Sequence, residues 1–205
     1  MGANKGDFSK SLRRINKNID IYSFEPHPVT FKKLSKNIEG LNITSLNLGV
    51  GGMPGTLSLY DYANQDGSEH ASVYQDVIEA IHGEKAIKHD IQVVTLDEFV
   101  KLYKIDEVIL LKIDTEGHEL EVLKGFTQFI NDNKVYMIHF EFNEMNVISR
   151  VFFKDFWDML PNYSFYRLLP NSLIPIKNYN PLLCEIFAYQ NIVAILKHDS
   201  QESPE

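Results

Sequence analysis

Between Ile109 and Phe126 the chain reads ILLKIDTEGHELEVLKGF, an apolar run that turns through a cluster of acids into a helical pattern. The run is too short to span a membrane and too continuous for a half-solvated strand. It therefore predicts a strand covered on both faces within a parallel sheet. Asp114 then falls at the strand's carboxyl end, where open α/β sheets gather their ligands. Thr115 is placed to cap the following helix, with Glu116 and Glu119 in a first turn where N–H groups and the macrodipole favour anions. Leu120, Leu123 and Phe126 recur at helical spacing and mark its buried stripe. Glu119 and Glu121 need no role beyond starting that helix well. Asp114 does, because capping does not require it.

The rest of the chain repeats this alternation. Phe8, Leu12 and Ile15 follow a Gly2–Gly6 turn at the spacing of an amphipathic helix. Strands are expected at Ile19–Phe24, Ile43–Leu48, Thr56–Tyr60, Ile91–Val94, Val135–Phe142, Tyr163–Leu169 and Ile192–Leu196. The prolines of Glu25-Pro26-His27-Pro28 open a helix whose Phe31, Leu34 and Ile38 face the core. Further helices are expected at Leu96–Leu102 and around Phe152, Phe156, Met159 and Leu160. Asp61–Asp90 is polar and irregular apart from a helical pattern at Val73, Val77 and Ile81. Carrying Ser72, His70 and His82, it is either an acceptor lid or a surface insertion. Such alternation predicts an α/β fold, Rossmann-like, with a mostly parallel sheet and helices on both faces. One domain is expected over residues 1–198, with a disordered tail at 199–205.

Charge and composition narrow the function. A formal net charge of −8 opposes phosphate backbones, so no nucleic-acid partner is expected. Lys10, Arg13, Arg14 and Lys17 fit the solvent face of the first helix. No stretch approaches the roughly 20 apolar residues of a membrane helix. Cys184 is the single cysteine and reads as a core residue. With no leader pattern at the amino end, a reducing, cytoplasmic setting is expected.

Glu25 ends the Ile19–Phe24 strand nineteen residues after Gly6, the spacing at which an acid reaches ribose hydroxyls in a nucleotide-binding α/β unit. Gly2 and Gly6 do not form the G-x-G-x-x-G that brings backbone against a pyrophosphate. A ribose-bearing ligand without pyrophosphate fits better than NAD. Asp114 and Glu141 end strands expected to be neighbours, so one of them, or His118 in the connecting turn, is the candidate general base. His139, inside a strand, reads as a core residue. Asp114, Glu116 and Glu141 also make an alternative ligand set for Mg²⁺, ranked second to a site without a metal.

Four segments, GANKGDFS, FEPHPVTFKKLSKNI, QVVTLDEF and LLKIDTEGHELEVLKGF, together resemble the ordered motifs of the FkbM family of S-adenosylmethionine-dependent methyltransferases, from Gly2 to about Phe142. The resemblance implies a class I methyltransferase fold that transfers methyl to a hydroxyl of a sugar or polyketide-like small molecule. It implies that Gly2, Ala3, Asn4 and Gly6 hold the methionyl part, Glu25 and Pro26 the ribose, and Leu48, Gly49 and Val50 the adenine. Asp114 and Glu116 would face the methyl-transfer point. A non-catalytic remnant that binds a nucleoside or a partner is the alternative.

Family members carry an apolar strand before the glycine turn, whereas here Met1 precedes Gly2 directly. An open gap at a central strand strands on the order of ten backbone groups at about 1–3 kcal/mol each if buried. That exceeds a typical stability of roughly 5–15 kcal/mol. The expectation is that upstream residues have been lost or that another segment fills the gap.

Overall fold

Two short parallel strands, β1 (Tyr22–Phe24) and β2 (Thr44–Leu46), are linked by helix α2 (Pro28–Asn37) in the computed structural model, which describes residues 1–197. The expected tail at 199–205 lies outside the described residues. Pro28 opens α2 where a missing N–H costs nothing, and His27 Nδ1 accepts the Val29 N–H at 3.2 Å as its cap. Leu34 and Ile38 are buried as their spacing predicts, while Phe31 is half-buried.

The main sheet runs β6 (Val108–Ile113), β7 (Val135–Phe142), β10 (Gln190–Leu196), β8 (Tyr163–Leu169) and β9 (Ser172–Ile176). A smaller sheet sets β5 (Ala86–Val94) between β3 (Gly49–Val50) and β4 (Gly55–Tyr62). Among the described residues, parallel pairing is confined to β1–β2, β3–β5 and β6–β7, so the sheets are partly rather than mostly parallel. For β8 and β9 the cause is the short link Pro170-Asn171, since a tight hairpin can join only antiparallel strands, and β10 and β4 are also paired antiparallel to their neighbours.

Helix α7 (Phe153–Met159) packs on this sheet, Phe156 stacking on Phe140 with ring centroids 4.4 Å apart. Helix α3 (Leu96–Tyr103) is capped by Thr95 and lays Phe99 against Phe24 at 4.8 Å. Short helices α4 (Glu119–Lys124) and α5 (Thr127–Asn131) return the chain from β6 to β7. Cys184, in the one-turn helix α8 (Pro181–Cys184), is buried in the same core. Strand β9, α8 and the short helix α6 (Met145–Ser149) carry no periodicity long enough to read from sequence. No helix among the described residues is long and apolar enough to cross a membrane.

The first helix, α1 (Asp7–Ile15), corrects the sequence reading. Its buried face carries Ser9 and Arg13, while Phe8 and Ile15 are exposed. Arg13, expected at the solvent face, donates to the carbonyls of Lys17, Ile19 and Asn42 at 2.7 Å each. Those carbonyls sit in the turns beside β1 and have no ladder to join, so one guanidinium satisfies several of them.

The main sheet and the β1–β2 pair are separate ladders. Residues 1–3 lie between them: the Met1 amine donates to the Lys112 carbonyl at 2.7 Å, and the Ala3 N–H to the Phe24 carbonyl at 2.9 Å.

Candidate active site

The opening turn holds Gly2, Asn4 and Gly6 at φ +65°, +46° and +86°. At Gly2 only hydrogen fits, because a Cβ there would lie 1.7 Å from the Asp114 carbonyl oxygen. This close approach presses the turn against the end of β6. The turn's next contact is with Glu25: the Asn4 N–H donates to Oε2 at 2.8 Å and the His27 N–H to Oε1 at 2.9 Å. Glu25 is 6% exposed, and burial pushes its carboxyl above the usual carboxylate range while those two N–H groups oppose the shift. Each oxygen keeps a lone pair for a further donor. Asn4 Oδ1, nearby, is buried without a partner among the described residues.

These groups line a single cavity that opens to solvent. Met1, Gly2, Asn4, Glu25 and Pro26 form one wall. Leu48, Gly49 and Val50 with Leu59, Ile91 and Val93 make an apolar end. Asp114, Thr115, Glu116 and His118 close the third side. Of the residues singled out in the sequence, Ala3 and Gly6 support the turn without lining the cavity, and Glu141 lies outside it. Gly6 instead packs on α2, where a Cβ would meet Leu34 at 2.7 Å.

The loop after β6 differs from its sequence reading. Thr115 does not cap α4, which begins only at Glu119. The roles are reversed: Glu119, 2% exposed, accepts the Thr115 N–H and hydroxyl and the Gly117 N–H, at 2.9, 3.0 and 3.3 Å. A carboxylate that ties a loop from inside cannot be told from a first-turn acid by spacing alone. Glu116 sits outside the helix at φ +53°, and its carbonyl accepts the Ser72 hydroxyl at 2.8 Å. His118 packs against the Gly51 turn, with Nε2 buried and unpartnered among the described residues and the Tyr74 hydroxyl 3.3 Å from Nδ1. Burial holds its imidazole below the ordinary histidine range, and Tyr74 is pushed up to about 12. His139 is satisfied by Asn191 Oδ1 at 2.7 Å.

Asp114 and Glu141 do come together, across an ammonium: Lys112 Nζ is 3.1 Å from Asp114 Oδ2 and 3.8 Å from Glu141 Oε1. Tyr189 donates to Glu141 at 2.9 Å. Burial, then the nearby Asp114 charge, push Glu141 up to about 7. The folded protein thus keeps this proton after an unfolded chain has lost it, so stability falls from about pH 4.5 to 7 and levels off above. Glu141→Gln is expected to remove that slope and to gain roughly 2–3 kcal/mol at pH 8 with little change at pH 4. Urea unfolding at the two pH values checks this, and an equal effect at both would contradict it.

Asp114, Glu116 and Glu141 do not converge as a ligand set. Among the described residues, the one group of three whose possible ligand atoms lie within 4.8 Å of one another is His27, Asp66 and His89. There His27 Nδ1 accepts backbone N–H groups, which puts its proton on Nε2. Nε2 then donates to Asp66 at 3.0 Å, as does His89 Nε2 at 2.8 Å, so the cluster is a hydrogen-bonded clasp. Sequence reasoning missed the residue behind it. Asp61, fully buried, accepts the N–H groups of Gly67 and Ser68 at 2.7 and 2.9 Å and the Ser68 hydroxyl. An acid a few residues before Gly-Ser was the only signal.

Among the described residues, the segment from Asp61 to Asp90 is built into the site. Ser72 exchanges two backbone hydrogen bonds with Tyr60, and Ser68, Glu69, Ala71 and Val73 line the cavity. The helical pattern there appears as one π-helical turn, Val77–Ile81.

Three comparisons bear on this geometry. A family model described as the methyltransferase FkbM domain matches residues 1–166. Methyltransferase sdnD of Sordaria araneosa is 31% identical over 150 residues, 60% of this chain and 58% of the relative. Hexuronic acid methyltransferase AglP of Haloferax volcanii is 30% identical over 112 residues, 53% of this chain and 41% of the relative. The chain thus spans about half the length of the curated relatives it matches. The crystal structure of methyltransferase FkbM from Methylobacillus flagellatus shares the fold, with a TM-score of 0.53 at 15% identity over 94% of this chain and 41% of that one.

Proposed function

The chain belongs to the methyltransferase FkbM domain family, and from that premise we propose that it transfers the methyl group of S-adenosylmethionine to a sugar hydroxyl. The observation that carries the cofactor reading is Glu25, buried at the cavity wall with one N–H on each oxygen and a lone pair on each left for two ribose hydroxyls. The turn around Gly2 and Asn4 holds the methionyl part, and the orphaned Asn4 Oδ1 accepts from its ammonium. Leu48, Gly49 and Val50 take the adenine with Ile91 and Val93. His118 serves the base rather than the reaction. Tyr74 stays protonated and donates to Nδ1, which leaves the unpartnered Nε2–H for an acceptor atom of the purine.

Bound in this cavity, S-adenosylmethionine supplies an electrophilic sulfonium methyl. Asp114, held by Lys112, marks the transfer end, and the chief work of the site is alignment, which can supply roughly 7–11 kcal/mol. A sugar acceptor is supported by the relative named for hexuronic acid; a polyketide-like hydroxyl is the other acceptor class the family suggests.

Calorimetric titration with S-adenosylhomocysteine tests the reading. Saturable binding that is lost in Glu25→Ala is expected. A folded chain that binds none would leave the non-catalytic alternative, a nucleoside-binding or partner-binding form of the fold.

A further inference from the structure

We infer that His70, backed by Glu116, takes the proton of the acceptor hydroxyl, and that the polar groove beside it seats the sugar. This rests on the methyltransferase reading above. Glu116 lines the cofactor cavity, and its Oε1 lies 3.7 Å from His70 Nδ1. His70 lines a neighbouring groove with Lys5, Lys33, Gln65 and Asp66. Ser68 and Glu69 line both spaces. The His70–Glu116 pair therefore stands where cavity and groove meet. An acceptor seated in the groove lies beside His70, with Glu116 on the cavity side of the pair.

The groove's chemistry differs from the cavity's. Lys5 is paired with Glu69 at 3.0 Å, and Lys33 donates to the Gly67 carbonyl at 3.2 Å. Donors and acceptors of both kinds alternate there without an apolar wall, which suits the hydroxyls of a sugar ring rather than a hydrocarbon.

His70 is also held in place. Its N–H donates to Ser68 Oγ at 3.1 Å, Ser68 is clamped by buried Asp61, and Ser72 ties the loop's far side to the Glu116 carbonyl. A carboxylate facing Nδ1 keeps the proton there and leaves Nε2 as the base. Among the described residues no side chain hydrogen-bonds His70 Nε2, and the ring is half exposed. The other ionisable groups around it are Glu69, Asp61 beneath the loop, and the Tyr62–His82 pair, whose imidazole centroid lies 5.0 Å from that of His70. Glu116 raises the His70 pKa above the ordinary histidine value, which strengthens the base. By contrast, Asp114 and Glu141 both face Lys112.

In the step, the acceptor oxygen forms a bond to the methyl carbon as the carbon–sulfur bond breaks and its electron pair stays on sulfur. The hydroxyl proton passes to His70 Nε2, and the imidazolium later returns it to water. The products are the methyl ether and S-adenosylhomocysteine.

The test uses protein saturated with S-adenosylhomocysteine and methyl β-D-glucuronide as the sugar probe, with the His70 ring followed by NMR. A saturable shift at His70, absent at His139, is expected, together with a lower His70 titration midpoint in Glu116→Gln. In transfer assays to the same probe, His70→Asn is expected to lower kcat roughly 10²- to 10⁴-fold and to abolish the acid limb of the pH profile, with S-adenosylhomocysteine affinity unchanged. A His70 ring indifferent to the sugar or to Glu116→Gln overturns the inference, as does a kcat within about threefold of wild type in His70→Asn. S-adenosylhomocysteine binding in those samples confines the failure to His70. Its absence brings down the cofactor reading instead.

Discussion

Glu25→Ala is expected to weaken S-adenosylhomocysteine binding by roughly 10²- to 10⁴-fold. Two hydrogen bonds from ribose hydroxyls to a carboxylate are each worth about 1.5–3 kcal/mol, and each 1.4 kcal/mol is about tenfold in affinity. The same substitution leaves the Asn4 and His27 N–H groups without acceptors, so it also costs stability. Two readouts separate these effects. Calorimetry reads the affinity, and a thermal scan without ligand reads the fold. Glu25→Gln keeps one carboxyl-type oxygen and is expected to fall between the two. If Glu25→Ala stays folded and binds S-adenosylhomocysteine as tightly as wild type, the cradle is not the cofactor site.

Gly125→Ala is expected to destabilise the protein by about 3 kcal/mol or more, at the upper end of overpacking costs. A Cβ at Gly125 would lie 2.1 Å from the Gly51 carbonyl oxygen and 3.0 Å from its carbon. Both obstacles are backbone, so no side chain can rotate away. Gly125 follows α4 at φ −72°, an ordinary value for alanine, and the strain therefore comes entirely from the contact. Relieving it means moving the β3 turn off α4, where Val122 and Leu123 are fully buried and the Gly125 carbonyl accepts the Asp97 N–H at 2.9 Å. Urea denaturation measures the loss. A change under about 1 kcal/mol would show that the turn yields cheaply.

Much of the scaffold was legible because long periodic segments carry their own pattern. Val135–Phe142 and Tyr163–Leu169 form strands with the bounds their sequences predict, and Leu120, Leu123 and Phe126 bury as their spacing requires. The failures have physical causes. The apolar stripe Phe8, Leu12, Ile15 misled because the neighbours of α1 offer bare carbonyls, so a guanidinium is buried there instead. Strand β9 is short and lies at the sheet edge, with most of its residues exposed and no alternation to detect.

The cavity was partly legible for a similar reason. Gly2, Glu25 and Asp114 stand at strand ends and turns, positions that chain order alone points toward one end of a sheet. Roles that depend on what approaches from elsewhere were not. Glu119 reads as a helix starter until its oxygen is found on Thr115 and Gly117, and Asp61 is one acid at the start of a polar segment until a loop closes over it.

By itself the sequence determined the α/β alternation, the family resemblance and the acids at the strand ends, because periodicity and spacing are properties of neighbouring residues. Tertiary structure alone decided which acids face one another: Lys112 joins Asp114 to Glu141 across two strands, while Glu116 turns to His70, forty-six residues earlier. Pairing between distant side chains depends on where the backbone carries each one, and no local pattern encodes that distance.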